Sequence, residues 1–226
     1  MIRRSETPPD VARADARTVV ITVRYTGDGA RQQAVADEAV AGREAGSWPA
    51  GLLSWSLFAS TDGQVLMAYE QWADDAALDA ALAATPPYVS GIAGTEPSAP
   101  ARYRVHRSFV SRVERGPVGC VGTPVFDVDG PEGQRHFVDE VFSMTKEVPP
   151  MPGSLSAHFH LSADGTRVFN YAEWSTERAH IDAVEAADPT NVRGRITGEI
   201  PGVRPCGYRR WHLHTALSEA AGADVL

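Results

Sequence analysis

An internal duplication limits the fold of this chain more than any other feature of its sequence. Residues 53–84 match residues 155–186 at a constant offset of 102 (155 − 53) without a gap, and ten of these 32 pairs are identical. Average composition would give about two or three identities by chance. The sequence therefore predicts two copies of one structural unit, a first repeat over 17–115 and a second repeat over 116–215.

Each repeat has the pattern β-α-β-β-α-β. In the first repeat, runs of β-branched and apolar residues and runs of helix formers alternate in that order. The predicted strands are 18–25, 52–59, 65–72 and 103–113, and the predicted helices are 30–45 and 76–84. This order is that of the ferredoxin-like, or split-βαβ, unit. The predicted fold class is α+β.

One face of each predicted sheet is left without helices. It carries large side chains such as Tyr69 and Tyr171, which need to be covered. We therefore expect the two ferredoxin-like repeats to pair through these faces as an intramolecular dimeric α+β barrel.

The ends of the chain and one proline do not follow the pattern. Residues 1–16 are polar and contain Pro8-Pro9, which predicts a disordered N-terminal tail, and 216–226 are predicted to be a C-terminal tail. Pro124 falls where the first strand of the second repeat should lie. Because proline cannot donate to a sheet, this strand either begins only at Val125 or contains a bulge.

Composition narrows the classes of partner. The 226 residues carry a net charge of −8, and a nucleic-acid partner is not expected without a basic surface. No apolar run is long enough to span a bilayer, and the first residues lack the apolar core of a signal peptide. Cys120 and Cys206 are too few for a disulfide framework, so we expect a reduced, cytoplasmic protein.

Candidate chemistry centres on residues 160–174, HLSADGTRVFNYAEW. Asp164-Gly165 between apolar runs predicts a hairpin. Because side chains alternate along a strand, Asn170 and Trp174 should share one face. Asparagine is disfavoured in a strand interior, and a buried amide needs partners.

With these residues, the second repeat resembles the antibiotic biosynthesis monooxygenase family, and in particular the branch that forms quinones in aromatic polyketide pathways. The resemblance implies that Asn170 and Trp174 are active-site residues and that His160 is a pocket histidine. His180 stands six residues after the tryptophan, where that branch commonly has a tyrosine. An imidazole there could transfer protons near neutral pH.

Three further residues complete the predicted site. A family arginine would correspond to Arg193 or Arg195 and would bind a phenolate or carboxylate. His158 shares a strand face with His160 and is predicted to contact the substrate. A metal is not expected, because neither this His-x-His pair nor that of His212 and His214 has further ligands at a known spacing.

The reaction that the resemblance implies is oxidation of an anthrone or dihydroquinone to a quinone by O₂, without a bound cofactor. No G-x-G-x-x-G or Walker sequence indicates a nucleotide cofactor. The expected partners are a small aromatic polyketide and O₂, with a possible homodimer of the two-repeat chain and no membrane. The alternatives are a non-oxidative polyketide cyclase, a haem-degrading monooxygenase and a non-catalytic accessory protein.

The duplication provides an internal control for these assignments. At the offset of 102, Asn170 becomes Ala68, His180 becomes Leu78, and His160 becomes Phe58. Trp174 becomes Trp72, so only the tryptophan recurs. We therefore expect a structural first repeat and an active site in the second.

Overall fold

The computed structural model describes residues 2–84, 94–146, 148–186 and 200–219. In chain order the strands are β1 (Ile2–Ser5), β2 (Thr18–Tyr25), β3 (Leu52–Ser60), β4 (Val65–Trp72), β5 (Ala101–Val110), β6 (Cys120–Val128), β7 (Ser154–Ser162), β8 (Arg167–Trp174) and β9 (Val203–Glu219). The helices are α1 (Gly29–Ala45), α2 (Asp75–Ala84), α3 (Gly130–Thr145) and α4 (Glu177–Glu185). The predicted α+β class is confirmed.

The chain forms two compact units. The first unit comprises Met1–Ala101 with Leu213–Leu226, and the second unit comprises Arg102–His212. In the first unit the strand order is β1-β9-β3-β4-β2, and in the second it is β5-β7-β8-β6-β9. Strand β5 falls within the first sequence repeat but belongs to the second unit, where it pairs antiparallel with β7.

The second unit contains the complete ferredoxin-like arrangement. The strands of the second repeat lie in the order β7-β8-β6-β9, and all the neighbouring pairs are antiparallel. Helices α3 and α4 contribute side chains to the apolar clusters on one face of this sheet. That face holds the candidate site.

Matching hydrogen bonds show that the duplication is structural as well as sequential. The buried amide of Gln32 donates to the backbone oxygens of residues 60 and 65, at 3.2 and 2.8 Å. The amide of Gln134 donates to residues 162 and 167 at 3.1 and 2.7 Å. Every pair differs by 102, so residues at this offset occupy equivalent places.

The hairpin predicted around Asp164-Gly165 is confirmed. Strands β7 and β8 pair antiparallel, with His160 opposite Phe169, and Gly165 in the turn between them has a φ of 78°. Glycine adopts this left-handed conformation without steric cost. The Asp164 carboxylate accepts from Ser162 Oγ at 2.6 Å and from the Thr166 amide at 3.0 Å, and these bonds lower the pKa of Asp164.

Both chain ends differ from the prediction. Residues 2–16 are not a disordered tail, because Ile2–Ser5 form β1 and Val11 is buried. Nor are residues 216–219 a tail, because they are the part of β9 that pairs with β1. Strand β1 is an edge strand, and β9 lies between β1 and β3. Both segments are ordered by long-range pairing, which leaves no local signal.

Of the two alternatives left open at Pro124, the bulge is confirmed. Strand β6 begins at Cys120, and its register with β9 shifts between Pro124 and Phe126. The extra residue lies on β9, opposite the part of β6 that follows the proline, which has no N–H to donate. None of the described helices combines the length and hydropathy that crossing a bilayer requires.

Candidate active site

The face of β8 toward the helices carries Asn170, Ala172 and Trp174. Side chains alternate along a strand, and Val168, two residues before Asn170, is buried in a cluster with apolar residues of α3. Ala172 and Trp174 form a second cluster with Cys120, against which alanines of α4 pack. The amide and the indole therefore lie between the sheet and the helices, as the strand alternation predicted.

Two buried polar atoms on this face, Asn170 Oδ1 and Trp174 Nε1, have no hydrogen-bond partner within the described residues. Native proteins leave few such atoms unpaired, and each costs about 1–3 kcal/mol. Four strand positions separate the two residues, which places their Cα atoms about 13 Å apart. A flat polycyclic ligand lying along β8 would reach both atoms, with a donor for the amide oxygen and an acceptor for the indole N–H.

Helix α4 brings His180 over this face. The helix begins just after β8, and its N-cap Thr176 accepts from the Ala179 amide at 3.1 Å. His180 is buried, and its ring lies edge-on to that of Trp174 with 5.0 Å between centroids. Asn170, Trp174 and His180 thus line the same side of the sheet, whereas local sequence alone placed only the first two together.

Arg210 of β9 sets the state of His180. Arg210 Nε donates to His180 Nδ1 at 2.9 Å. Because a guanidinium only donates, Nδ1 must be the unprotonated nitrogen, and the neutral ring carries its proton on Nε2. Burial, and then the charge of Arg210, lower the pKa of His180 to about 4, against a weaker opposite effect of Glu177. At neutral pH His180 is a hydrogen-bond donor, which differs from the proton transfer that the sequence suggested.

Gly122 of β6 makes room for the imidazole. A Cβ at this position would lie 2.7 Å from His180 Nε2, closer than real Cβ contacts allow. Gly122 is the cross-strand neighbour of both Ala172 and Arg210. At the offset of 102, the first repeat has Val20 in place of Gly122 and Leu78 in place of His180. This paired exchange was a signal for the site that the sequence analysis did not use.

Arg210 was also missed, because it lies 30 positions beyond His180 and no local motif connects the two. Tyr208, on the same strand, packs edge-on against His180 with 5.5 Å between ring centroids. The guanidinium carbon of Arg210 lies 5.1 Å from the Tyr208 ring. The imidazole is therefore enclosed by a tryptophan, a tyrosine and an arginine.

The structure does not bring His160 and His158 together with Asn170. They pair across the strands with Phe169 and Tyr171, whose side chains lie on the opposite face of β8 from Asn170. His160 is fully buried, its Nδ1 donates to the His158 carbonyl at 2.9 Å, and burial lowers its pKa to about 3. His158 Nδ1 bonds Ser108 Oγ at 2.8 Å. Both are packed polar residues of the other face.

Arg193 and Arg195, predicted to bind a phenolate or carboxylate, lie outside the described residues. The two cysteines are free, and burial raises the pKa of the Cys120 thiol to about 11. No group of three or more His, Cys, Asp or Glu side chains in the described ranges is placed to hold a metal ion.

The second unit is ferredoxin-like, as the resemblance of its sequence implied, and Asn170 and Trp174 lie on the helix-covered face of its sheet. No family model matches the chain. Over 54 residues the chain is 48% identical to tetracenomycin-F1 monooxygenase of Streptomyces glaucescens, a stretch that covers 24% of this chain and 47% of that protein. The chain thus spans about half the length of this curated relative.

Solved structures resemble the whole chain. An anthrone oxidase-like protein superposes with a TM-score of 0.71 over 94% of this chain and 98% of its own, at 16% identity. A monooxygenase candidate from Fusobacterium nucleatum superposes with a TM-score of 0.53 over 91% and 96%, at 12% identity. At these identities the structures establish the fold. With the match to tetracenomycin-F1 monooxygenase, they confirm the resemblance to antibiotic biosynthesis monooxygenases.

Proposed function

We propose that the second unit is a cofactor-independent monooxygenase that oxidises an anthrone- or dihydroquinone-type aromatic polyketide to a quinone. The observation that carries the proposal is a pair of buried atoms on one face of β8, Asn170 Oδ1 and Trp174 Nε1, which have no hydrogen-bond partner among the residues that the structure describes. A planar phenolic substrate supplies both the donor and the acceptor that these atoms lack. The tetracenomycin and anthrone names of the similar proteins support the same substrate class.

For an anthrone the reaction is balanced without a reductant. The ring CH₂ loses a proton, and the resulting carbanion gives one electron to O₂. The two radicals combine as a peroxide, and loss of water leaves the carbonyl. The carbon gives up four electrons, which reduce one oxygen atom to the quinone oxygen and the other to water.

In this proposal the protein stabilises the anion and orients it. The oxygen of the Asn170 amide accepts from a substrate phenol. Because the oxygen and the NH₂ group of an amide are similar in shape, the same side chain can turn by 180°. Its NH₂ group then donates to the oxyanion that deprotonation creates. Trp174 Nε1 donates to an oxygen at the other end of the substrate. Arg210 fixes His180 with its N–H on Nε2, so the imidazole donates to negative charge without being protonated itself.

Oxygen uptake with an anthrone substrate tests the proposal. Asn170→Ala installs the residue that the first repeat carries at Ala68, so the scaffold is known to accept it. Loss of one preorganised donor to an oxyanion lowers kcat by about 100-fold, and we expect that decrease in O₂ consumption. Ala68→Ser in the first unit is the matched control and should leave the rate unchanged.

The same assay separates the alternatives. A polyketide cyclase would release product without consuming O₂, and an accessory protein would do neither. Full O₂ consumption by Asn170→Ala, or no consumption above the uncatalysed rate by the unmodified protein, would rule out the proposed role of this site.

A further inference from the structure

We infer that three side chains of the first unit, Trp55, Glu70 and Arg43, occupy the volume that the ligand occupies in the second unit, and that Ala157 and Ala172 are the residues that open the second site. This inference deepens the proposed function and rests on it for the chemical class of the ligand. It starts from a comparison of the two repeats at equivalent places.

In the first unit the tryptophan N–H is satisfied internally. Trp72 Nε1 donates to Glu70 Oε2 at 3.0 Å, and Arg43 Nη2 bonds Glu70 Oε1 at 3.1 Å. The Arg43 guanidinium lies over the Trp55 ring, 5.5 Å from its centroid. Burial raises the pKa of Glu70, and Arg43 and Trp72 oppose that effect. These four side chains form a closed cluster on the helix-covered face.

The second unit lacks the side chains that fill this cluster. At the offset of 102, Trp55 becomes Ala157, Glu70 becomes Ala172, and Arg43 becomes Thr145. Trp55 and Glu70 are direct cross-strand neighbours in the first unit, and Ala157 and Ala172 are the same pair in the second. An indole, a carboxylate chain and a guanidinium are therefore missing from one contiguous place.

Trp174 marks that place as a binding site and not merely a smaller core. It is buried like its counterpart Trp72, yet without a glutamate its Nε1 has no partner among the described residues. Larger side chains do occur elsewhere on this face: Phe142 replaces Val40 and packs edge-on against Phe159. Phe159 is the cross-strand neighbour of Asn170, so this substitution fills the Asn170 end of the face, whereas the larger side chain packed at the Ala172 and Trp174 end is Met151.

The first unit thus shows what kind of ligand fits the second. A flat aromatic ring takes the place of the Trp55 indole, over Ala157. An acceptor oxygen, carbonyl or phenolate, takes the place of Glu70 Oε2 and receives the Trp174 N–H. The ligand class is a hydroxylated polycyclic aromatic with an oxygen on the edge that faces Trp174.

Binding of 1,8-dihydroxyanthraquinone, a product-like probe that does not turn over, tests this inference without requiring oxidation. Ala172→Gln gives Trp174 Nε1 an acceptor without burying a charge, and Ala157→Trp fills the ring position. Each should weaken binding, measured by quenching of tryptophan fluorescence or by calorimetry, by at least roughly 100-fold, because the probe meets occupied volume. Ala163→Gln, which adds the same side chain at an exposed residue of the β7–β8 turn, is the control and should bind within about threefold of the unmodified protein.

Thermal unfolding shows whether each variant is folded, so that a loss of probe binding can be assigned to the filled volume. Ala172→Gln should unfold at the same temperature or higher, because it satisfies a buried donor. If it does not fold, the triple exchange Thr145→Arg, Ala157→Trp, Ala172→Glu transplants the whole cluster and serves as the filled variant. A folded filled variant that binds the probe as tightly as the unmodified protein would overturn the inference. Loss of probe binding without any O₂ uptake by the unmodified protein would instead support the inference and count against the monooxygenase function.

Discussion

Replacing Arg210 by methionine should raise the pKa of His180 and weaken its role as a fixed donor. In the structure, Arg210 Nε lies 2.9 Å from Nδ1, and the pKa of the imidazole is held at about 4 by burial first and this charge second. Methionine keeps the length and apolar volume of the arginine side chain, so burial of the ring changes little. The variant therefore removes the charge and the hydrogen bond to Nδ1 while it keeps the ring buried.

The size of the effect follows from the separation of the two groups. Unit charges about 4 Å apart interact by about 1 kcal/mol in water and about 4 kcal/mol at an effective dielectric of 20. Arg210 is half-buried, which places the interaction near the lower limit, at about 1.4 kcal/mol or one pKa unit. At pH 6 the protonated fraction of His180 would rise from about 1% to about 10%.

Nitrogen NMR of histidine-labelled protein measures both the tautomer and the titration. The chain has seven histidines, and the signal of His180 is assigned by its loss in His180→Gln. We expect an unprotonated Nδ1 and a protonated Nε2 in the unmodified protein, and a pKa about one unit higher in Arg210→Met. The acid limb of the pH dependence of kcat/KM should shift upward by the same amount.

Arg204→Met is the matched control, because Arg204 lies on the same strand and pairs with Asp129 at 2.8 Å. It should leave the titration of His180 unchanged. The reasoning is refuted if His180 titrates near 6.5 in the unmodified protein, or if Arg210→Met leaves its pKa where it was.

Three further predictions concern stability and the two faces of the sheet. In the folded chain the pKa of His160 is about 3, below its ordinary value of 6.5. As the pH drops below 6.5, the unfolded chain therefore takes up a proton at this residue and the folded chain does not, so the free energy of unfolding decreases. Between pH 6.5 and 5 the loss is about 2 kcal/mol, and His160→Phe should remove it from the pH dependence of denaturant unfolding; an unchanged slope would contradict the assignment. Gly122→Val should displace the His180 ring and lower kcat by tenfold or more while the fold, followed by circular dichroism, persists. Trp174→Phe should lower the rate of O₂ uptake with little loss of stability, because its N–H has no partner within the described part of the chain. Trp72→Phe should lose about 1–3 kcal/mol of stability and keep the rate. Equal effects in the two variants would show that the units are functionally alike.

The elements that the sequence predicted well are those with a strong local pattern. Strands β2 and β4 have the predicted bounds, because their runs of branched and aromatic side chains end at residues that break the pattern. Helix α1 begins one residue earlier than predicted, at a cap where Asp28 accepts from the Arg31 amide at 2.9 Å. Strand β5 ends at Val110, three residues before the predicted end, in a stretch that is exposed.

The sequence contains the signal that separates His160 from Asn170. The Asp164-Gly165 hairpin fixes pairs whose numbers sum to 329, such as His160↔Phe169. An even-numbered residue on β7 therefore shares a face with odd-numbered residues on β8, which excludes Asn170. Alternation along each strand alone does not separate the two residues, whereas the register between the strands does.

Arg210 could not be found in the same way. Its contact with His180 depends on β9 lying beside β6, a long-range pairing that no local pattern specifies. The first repeat contained more usable information, because Val20 and Leu78 change together to Gly122 and His180. Comparison of paired positions between the repeats locates the imidazole and the space that it needs.

Mass spectrometry of the quinone formed under ¹⁸O₂ tests the central claim most directly. With an anthrone substrate, and after subtraction of the uncatalysed reaction, the second unit should consume one O₂ per quinone and place one ¹⁸O atom in the new carbonyl. The initial rate should fall about 100-fold in Asn170→Ala. Product that carries no ¹⁸O, or labelled quinone formed equally fast by Asn170→Ala, would contradict the account.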